Sequence, residues 1–219
     1  MTSAAKATGK GSKIWIAAVV LVVIVGVIAV AAARGSRKDA TEKVDQQQTA
    51  PVEVTGAPPL AALPEAGADP ALGETIPTVN GSDFDGEPVT IGPDDGKAKV
   101  IVFAAHWCPH CQRELPILVD HLKDSPMPDD VELLTVSTGV AEERGNYPPS
   151  TWLDGMGWTA PVLADSDDGG AAQAFALPGF PYFVAVDADG KVVARTSGEI
   201  PTEQFDELVE AARTGSVPA

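Results

Sequence analysis

The spacing of apolar and polar residues along this 219-residue chain changes period repeatedly, and each change marks an element. Val100-Ile101-Val102-Phe103-Ala104-Ala105 is an uncharged run of β-branched and apolar side chains, the pattern of a central strand buried on both faces. Further on, Leu115, Leu118, Val119 and Leu122 recur at helical spacing, with Gln112, Arg113, Asp120 and Lys123 opposite them, so a helix is predicted to about Lys123. The pattern then predicts strands at Val131–Ser137 and Ala160–Ala164 and short helices around Ser150–Met156 and Ala171–Ala176. After the turn Leu177-Pro178-Gly179, two strands, Tyr182–Val186 and Val192–Thr196, flank Asp187-Ala188-Asp189-Gly190, and Asp-Gly favours a tight antiparallel turn. Upstream, Ile76–Val79 and Pro88–Ile91 read as short strands about an Asp85-Gly86 turn. A last helix is expected with Thr202 as its cap and Phe205, Leu208, Val209 and Ala212 inward. Strand and helix alternate, which implies an α/β domain with a parallel core over residues 74–213, followed by a short tail, 214–219.

The N-terminal third follows a different pattern. Residues 1–13 carry Lys6, Lys10 and Lys13 without an acid, and Ile14–Ala33 then run for 20 residues without a charge. At about 1.5 Å per residue a helix of that length is about 30 Å long, enough to cross the hydrocarbon core of a bilayer. Ala29-Val30-Ala31 has the form of a signal-peptidase site, but a cleavable apolar region is usually about 7–15 residues, so an uncleaved anchor is expected. Three basic residues lie on each side of the run (Arg34, Arg37 and Lys38 after it), and the positive-inside count is a tie. The short basic tail is the easier end to leave in the cytoplasm, which puts the domain outside. Residues 34–73, rich in Ala, Gln, Pro and Gly, read as a flexible linker.

Between the central strand and its helix stands Trp107-Cys108-Pro109-His110-Cys111, holding the only two cysteines of the chain. Cys108 is thereby placed at a helix N-terminus, where unpaired N–H groups and the macrodipole favour a thiolate. Redox chemistry, a metal site and a structural bridge are the three uses of such a pair. A disulfide closing so short a loop adds little stability, and zinc asks for about four ligands, with His106 and His110 the only other soft candidates nearby. An isolated pair also fits an oxidising compartment. Redox exchange is therefore the leading expectation.

Strand, W-C-x-x-C, helix, strand, proline-led hairpin and closing helix together resemble the thioredoxin fold, most closely the membrane-anchored TlpA-type branch of thioredoxin-like proteins. The resemblance covers about 140 residues, from Asp83-Phe84-Asp85-Gly86 to the last helix. It implies an N-terminal β extension and a helical insertion, here Tyr147-Pro148-Pro149 to Trp158. Pro116 matches the proline that kinks the active-site helix, and Pro181 matches the family's cis-proline beside the cysteines. By the same resemblance Cys108, exposed at the helix start, attacks or is attacked, Cys111 resolves, and the backbone at Phe180, Pro181 and Tyr182 holds a partner peptide, with Trp107 covering the sulfurs. The Pro109-His110 dipeptide is that of DsbA-type oxidases, in which the histidine stabilises the reactive thiolate and makes the disulfide oxidising. Glu114 matches the glutamate of the C-x-x-C-x-x-E-x-P pattern of TlpA-type reductases, where it assists proton transfer; a first-turn glutamate favoured by the helix dipole is an equal account. The chain departs from the patterns at Val102, where thioredoxins bury an acid, and at Tyr182, where a threonine is usual.

The resemblance implies a thiol–disulfide oxidoreductase with no cofactor beyond the cysteine pair, leaning towards an oxidase. Its expected partners are extracytoplasmic protein thiols or disulfides and a membrane redox protein that recharges the pair. A reductase of apocytochrome or metallochaperone thiols is the runner-up, and a copper or zinc carrier using His106, Cys108, His110 and Cys111 is a third class. A peroxidase is disfavoured because Ala104 and Val100 stand where peroxiredoxins have threonine and proline upstream of the reactive cysteine. Beyond residue 38 the chain has nine basic against 31 acidic residues, a net of −22, which excludes nucleic acid as a partner.

Overall fold

All seven residues of β4 (Ala98–Ala104) are buried, Lys99 included, as a strand with protein on both faces requires. The computed structural model describes residues 47–93 and 95–217. In it β4 pairs in parallel with β5 (Val131–Ser137), Val102 facing Thr135, and β5 pairs in parallel with β6 (Val162–Ala164). On its other side β4 pairs antiparallel with β7 (Tyr182–Val186), and β7 with β8 (Val192–Ser197). Two strands joined by a five-residue connection pair antiparallel, so the expected parallel core is confined to β4, β5 and β6. At the turn, Gly190 has φ +73°, and a Cβ there would lie 2.1 Å from that of Pro93. The turn therefore needs glycine for both conformation and room.

The N-terminal extension contributes β1 (Glu53–Gly56), β2 (Pro77–Ser82) and β3 (Pro88–Ile91), giving the order β1-β2-β6-β5-β4-β7-β8 with β3 paired to β2. The helices are α1 (Pro109–Asp124), α2 (Pro149–Met156), α3 (Gly170–Ala174) and α4 (Thr202–Thr214). α2 is the expected insertion and packs as a helix: Leu153 and Trp158 are buried, Trp152 is partly buried against the same core, and the Trp158 indole donates to Thr135 Oγ1 at 2.8 Å. The cap of α4 is Pro201, not Thr202, and no side chain caps it.

Alternation along β4 separates two cores. Val100, Val102 and Ala104 join Cys108, Cys111, Leu115, Leu118, Phe183, Phe205 and Leu208 under α1 and α4. Ile101 and Phe103 face the other way, with Leu134, Val136, Tyr182, Val184, Phe175, Ile76, Val79 and Ile91. The second face is closed partly by chain that composition assigned to a linker.

The structure corrects that boundary. Within the described part of the expected 34–73 linker, Gln48, Ala50, Leu60 and Ala71 are buried, and β1 pairs with β2 from Glu53 opposite Asn80. Leu60 N–H donates to Ala174 O at 2.9 Å. From β8 the Arg195 guanidinium, wholly buried, grips Asp69 with Nε and Nη2 and donates from Nη1 to Ala61 O at 2.9 Å and to the Tyr182 hydroxyl at 3.2 Å. A sheet apolar on both faces leaves surface to cover, and this proline-rich strap covers it without any periodicity of its own. The expected anchor, Ile14–Ala33, lies outside the described residues; among these, no helix is long and apolar enough to cross a membrane.

Candidate active site

Cys108 is the N-cap of α1, with φ −73° and ψ 121°, and its carbonyl accepts the first helical bond, from Gln112 N–H at 3.1 Å. Pro109 at the first helical position costs no hydrogen bond, because that N–H has no partner in a helix. Cys111 falls one turn in and is 0% exposed. Both cysteines carry free thiols. Burial pushes the Cys111 thiol up; a backbone bond at Ala105 opposes this, and the neighbouring Cys108 adds to it. Cys111 therefore keeps its proton at neutral pH. The expectation of an open Cys108 is corrected: it is 5% exposed, within the core cluster against which Trp107 and Phe180 pack.

The loop before β7 brings Pro181 to the cysteines. The Phe180-Pro181 bond is cis, and the Cys108 thiol lies 3.8 Å from the Phe180 carbonyl, to which it donates. Phe180 stands edge-on to Trp107, ring centroids 5.8 Å apart. Trp107 in turn donates from its indole to Gly139 O at 2.7 Å, and the Arg144 guanidinium lies 3.8 Å over its ring. The Tyr182 side chain does not line the groove: it is 0% exposed, lies in the core on the opposite face of the sheet, and donates its hydroxyl proton to Phe175 O at 3.2 Å. Strand alternation sends residue 182 away from residue 181's surroundings.

Glu114 lies beyond the first turn of α1, which holds no acid, so the dipole account of it does not apply. The residue is 2% exposed, and its carboxyl accepts from Ile200 N–H at 3.4 Å. Burial, aided by the negative Glu199 and opposed by the Ile200 bond, holds it above the usual carboxylate range. A carboxyl raised on folding binds its proton more tightly in the folded chain, so stability is greatest below its unfolded pKa and falls as pH rises through the folded one. Glu114→Gln is expected to melt at the parent's temperature near pH 4 and several degrees above it at pH 8, measured by thermal unfolding of the full chain. A gain that does not grow with pH contradicts this assignment.

Sequence reasoning missed the most polar part of the site. His110 is exposed, and its Nδ1 lies 2.6 Å from Glu199 Oε1 and 2.9 Å from Arg113 Nη2. Arg113, one turn along, donates to the same carboxylate from Nε, at 3.1 and 3.2 Å, and from Nη2. These bonds draw the Glu199 carboxyl down to about 2. No signal in the sequence joins residues 86 positions apart. His106 was legible only as a possible metal ligand. It is instead buried, Nδ1 against Gly145 O at 2.8 Å and Nε2 accepting from Ala141 N–H at 3.2 Å. The carrier set is thus not assembled, and no group of three or more His, Cys, Asp or Glu among the described residues is arranged to hold a metal.

Residues 71–212 match the Redoxin family model. The chain is 30% identical to the methylamine utilization protein MauD of Methylophilus methylotrophus, over 67% of this chain and 64% of that protein, a little under two thirds of its length. It is 27% identical to the thiol-disulfide oxidoreductase ResA of Geobacillus thermodenitrificans, over 65% and 79%. The same fold is found in a thiol:disulfide interchange protein of the thioredoxin family from Chlorobium tepidum, with a TM-score of 0.53 and 24% identity, covering 67% of this chain and 99% of that one. The chain accordingly belongs to the Redoxin family.

Proposed function

We propose that this protein is a membrane-tethered thiol–disulfide oxidoreductase whose domain works outside the cytoplasm, exchanging a Cys108–Cys111 disulfide with protein thiols. One observation carries the reading: the Cys108 sulfur lies at the helix start against the Phe180 carbonyl and beside Pro181, with a fully buried Cys111 one turn below. A partner thiolate attacks Cys108, the bond to Cys111 breaks, and Cys111 leaves with the electron pair and takes a proton. A second partner thiolate then attacks the partner's sulfur in the mixed disulfide, and Cys108 leaves as a thiolate. Two partner thiols lose two electrons, and the cysteine pair gains them. Glu114, buried and with its carboxyl held above the usual carboxylate range by that burial, is the group proposed to exchange the Cys111 proton. The tether is the uncharged run Ile14–Ala33, and a membrane redox protein is proposed to restore the disulfide.

Pro109-His110 favours the oxidising direction. Transfer of electrons to partner disulfides, as a reductase, is the second reading, and the carboxylate of Glu199 on His110 favours it, because it offsets the cation that stabilises a thiolate.

Full-length oxidised chain, solubilised in detergent, is expected to consume two thiols of a reduced, unfolded protein for each Cys108–Cys111 disulfide, and Cys108→Ala to consume none. Equal thiol loss with Cys108→Ala overturns the reading. Its reduction potential separates the directions: a value near that of DsbA, about −120 mV, supports the oxidase, and one near thioredoxin, about −270 mV, the reductase.

A further inference from the structure

Glu199 sits in the loop from β8 to α4, far from the cysteines in sequence but next to them in space. Its carboxylate receives Arg113 and His110 on one side, and the N–H of the following residue, Ile200, holds Glu114. The groups facing this corner from α1 are therefore His110, Arg113, Glu114 and, within electrostatic reach of Arg113, Cys108. Two of them are cations or potential cations at the start of a helix whose own dipole already favours an anion. Left alone they would all favour a Cys108 thiolate. A half-exposed ion pair adds little to fold stability, so its effect on the neighbouring sulfur is the larger consequence.

We propose that Glu199 is a positioning residue for the redox step: by pairing with Arg113 and His110 it cancels positive charge that the first turns of α1 would otherwise present to Cys108, and so makes the disulfide less oxidising than its Pro-His dipeptide alone would. The inference rests on the exchange reading above. A thiolate stabilised less in the reduced form shifts the couple towards the disulfide. Glu199 also repels a negative charge on Glu114 through the same corner, so one loop sets both the charge beside the attacking sulfur and the proton affinity of the buried carboxyl.

The test is the equilibrium of the full chain with glutathione. Two glutathione thiols reduce the Cys108–Cys111 bond and form one glutathione disulfide. Two electrons pass, and the two glutathione protons go to Cys111 and to the protonated fraction of Cys108, or otherwise to solvent. Glu199→Gln is expected to shift this equilibrium about tenfold towards the reduced protein, about 30 mV upward for a two-electron couple, and to carry the ultraviolet absorbance of the Cys108 thiolate to lower pH. Arg113→Gln, which leaves the carboxylate uncompensated, should move it the opposite way. The double variant Glu199→Gln with Arg113→Gln should return towards the parent. An equilibrium unmoved by Glu199→Gln overturns the inference, as does a double variant shifted as far as Glu199→Gln alone. A parent chain that never equilibrates with glutathione overturns the exchange reading instead.

Discussion

Cys111→Ala is expected to turn the protein from one that turns over into one that traps. With the resolving sulfur gone, a mixed disulfide formed at Cys108 has no internal thiol to release it. Reaction of the variant with a small disulfide or a disulfide-bonded protein should leave a covalent adduct on Cys108, seen by mass spectrometry and as a slower band on a non-reducing gel. Turnover with thiol substrates should fall by about a thousandfold or more, since release then depends on an external thiol in place of one held against the bond. The fold should persist, because alanine removes one buried sulfur from a well-packed core, costing about 1–2 kcal/mol. An adduct that clears as fast as in the parent would mean that Cys111 does not resolve. The companion variant Cys108→Ala should form no adduct, because burial keeps Cys111 protonated and its sulfur has no exposed surface.

Asp69→Ala is the second large effect, on stability and not on chemistry. It strips the counter-charge from an Arg195 guanidinium that has no access to water, leaving it only Ala61 O and the Tyr182 hydroxyl. Breaking one partner of such a pair costs about 3 kcal/mol, a fall of about 6–12 °C in melting temperature for a domain of this size. Replacing both partners, Asp69→Ala with Arg195→Met, should cost less than the single change, because no charge is then stranded. The sign with pH follows from the carboxyl itself. Burial would raise it, yet the hydrogen bonds from Arg195 and Ala71 together with the Arg195 charge leave it below the usual value. A depressed carboxyl contributes stability above its unfolded pKa and loses it as pH falls through the folded one. The deficit of Asp69→Ala should therefore shrink below about pH 4, and thermal melts between pH 3 and pH 7 check it. A neutral Asp69→Ala would mean that the strap over 47–73 does not depend on this clamp.

The two effects act on opposite faces of one sheet. Cys108, Cys111 and Glu114 belong to the α1 side, and Arg195, Asp69 and Tyr182 to the side covered by the strap. Loss of the clamp should thus lower the folded fraction without changing exchange per folded molecule. Measuring both separates a scaffold defect from a chemical one.

Much of this was legible from residue order. The uncharged Val100–Ala105 run, the helical spacing of Leu115, Leu118, Val119 and Leu122, and the Asp189-Gly190 turn each carry their own period or turn chemistry, and each element stands where the pattern put it. Cys108 at a helix start followed from the same local reading. The strap was not legible, because Glu53–Gly56 is exposed on all four residues and is a strand only by virtue of its partner β2. The burial of the Tyr182 side chain was not legible for a related reason: a resemblance supplies a position along the chain, while strand parity supplies the direction of the side chain.

The chain alone determined where strands and helices begin, that one sulfur would cap a helix and that a second would follow one turn inside. These depend on neighbours within about four residues, for which spacing is sufficient information. Only the tertiary structure decided which charges meet that helix. When β7 returns beside β4 and β8 beside β7, they carry the Phe180 carbonyl to Cys108 and Glu199 to Arg113 and His110, contacts 72 to 89 residues apart along the chain. Charge acts through distance in space, so the balance at Cys108 is settled by the closure of the sheet and not by the five residues around it.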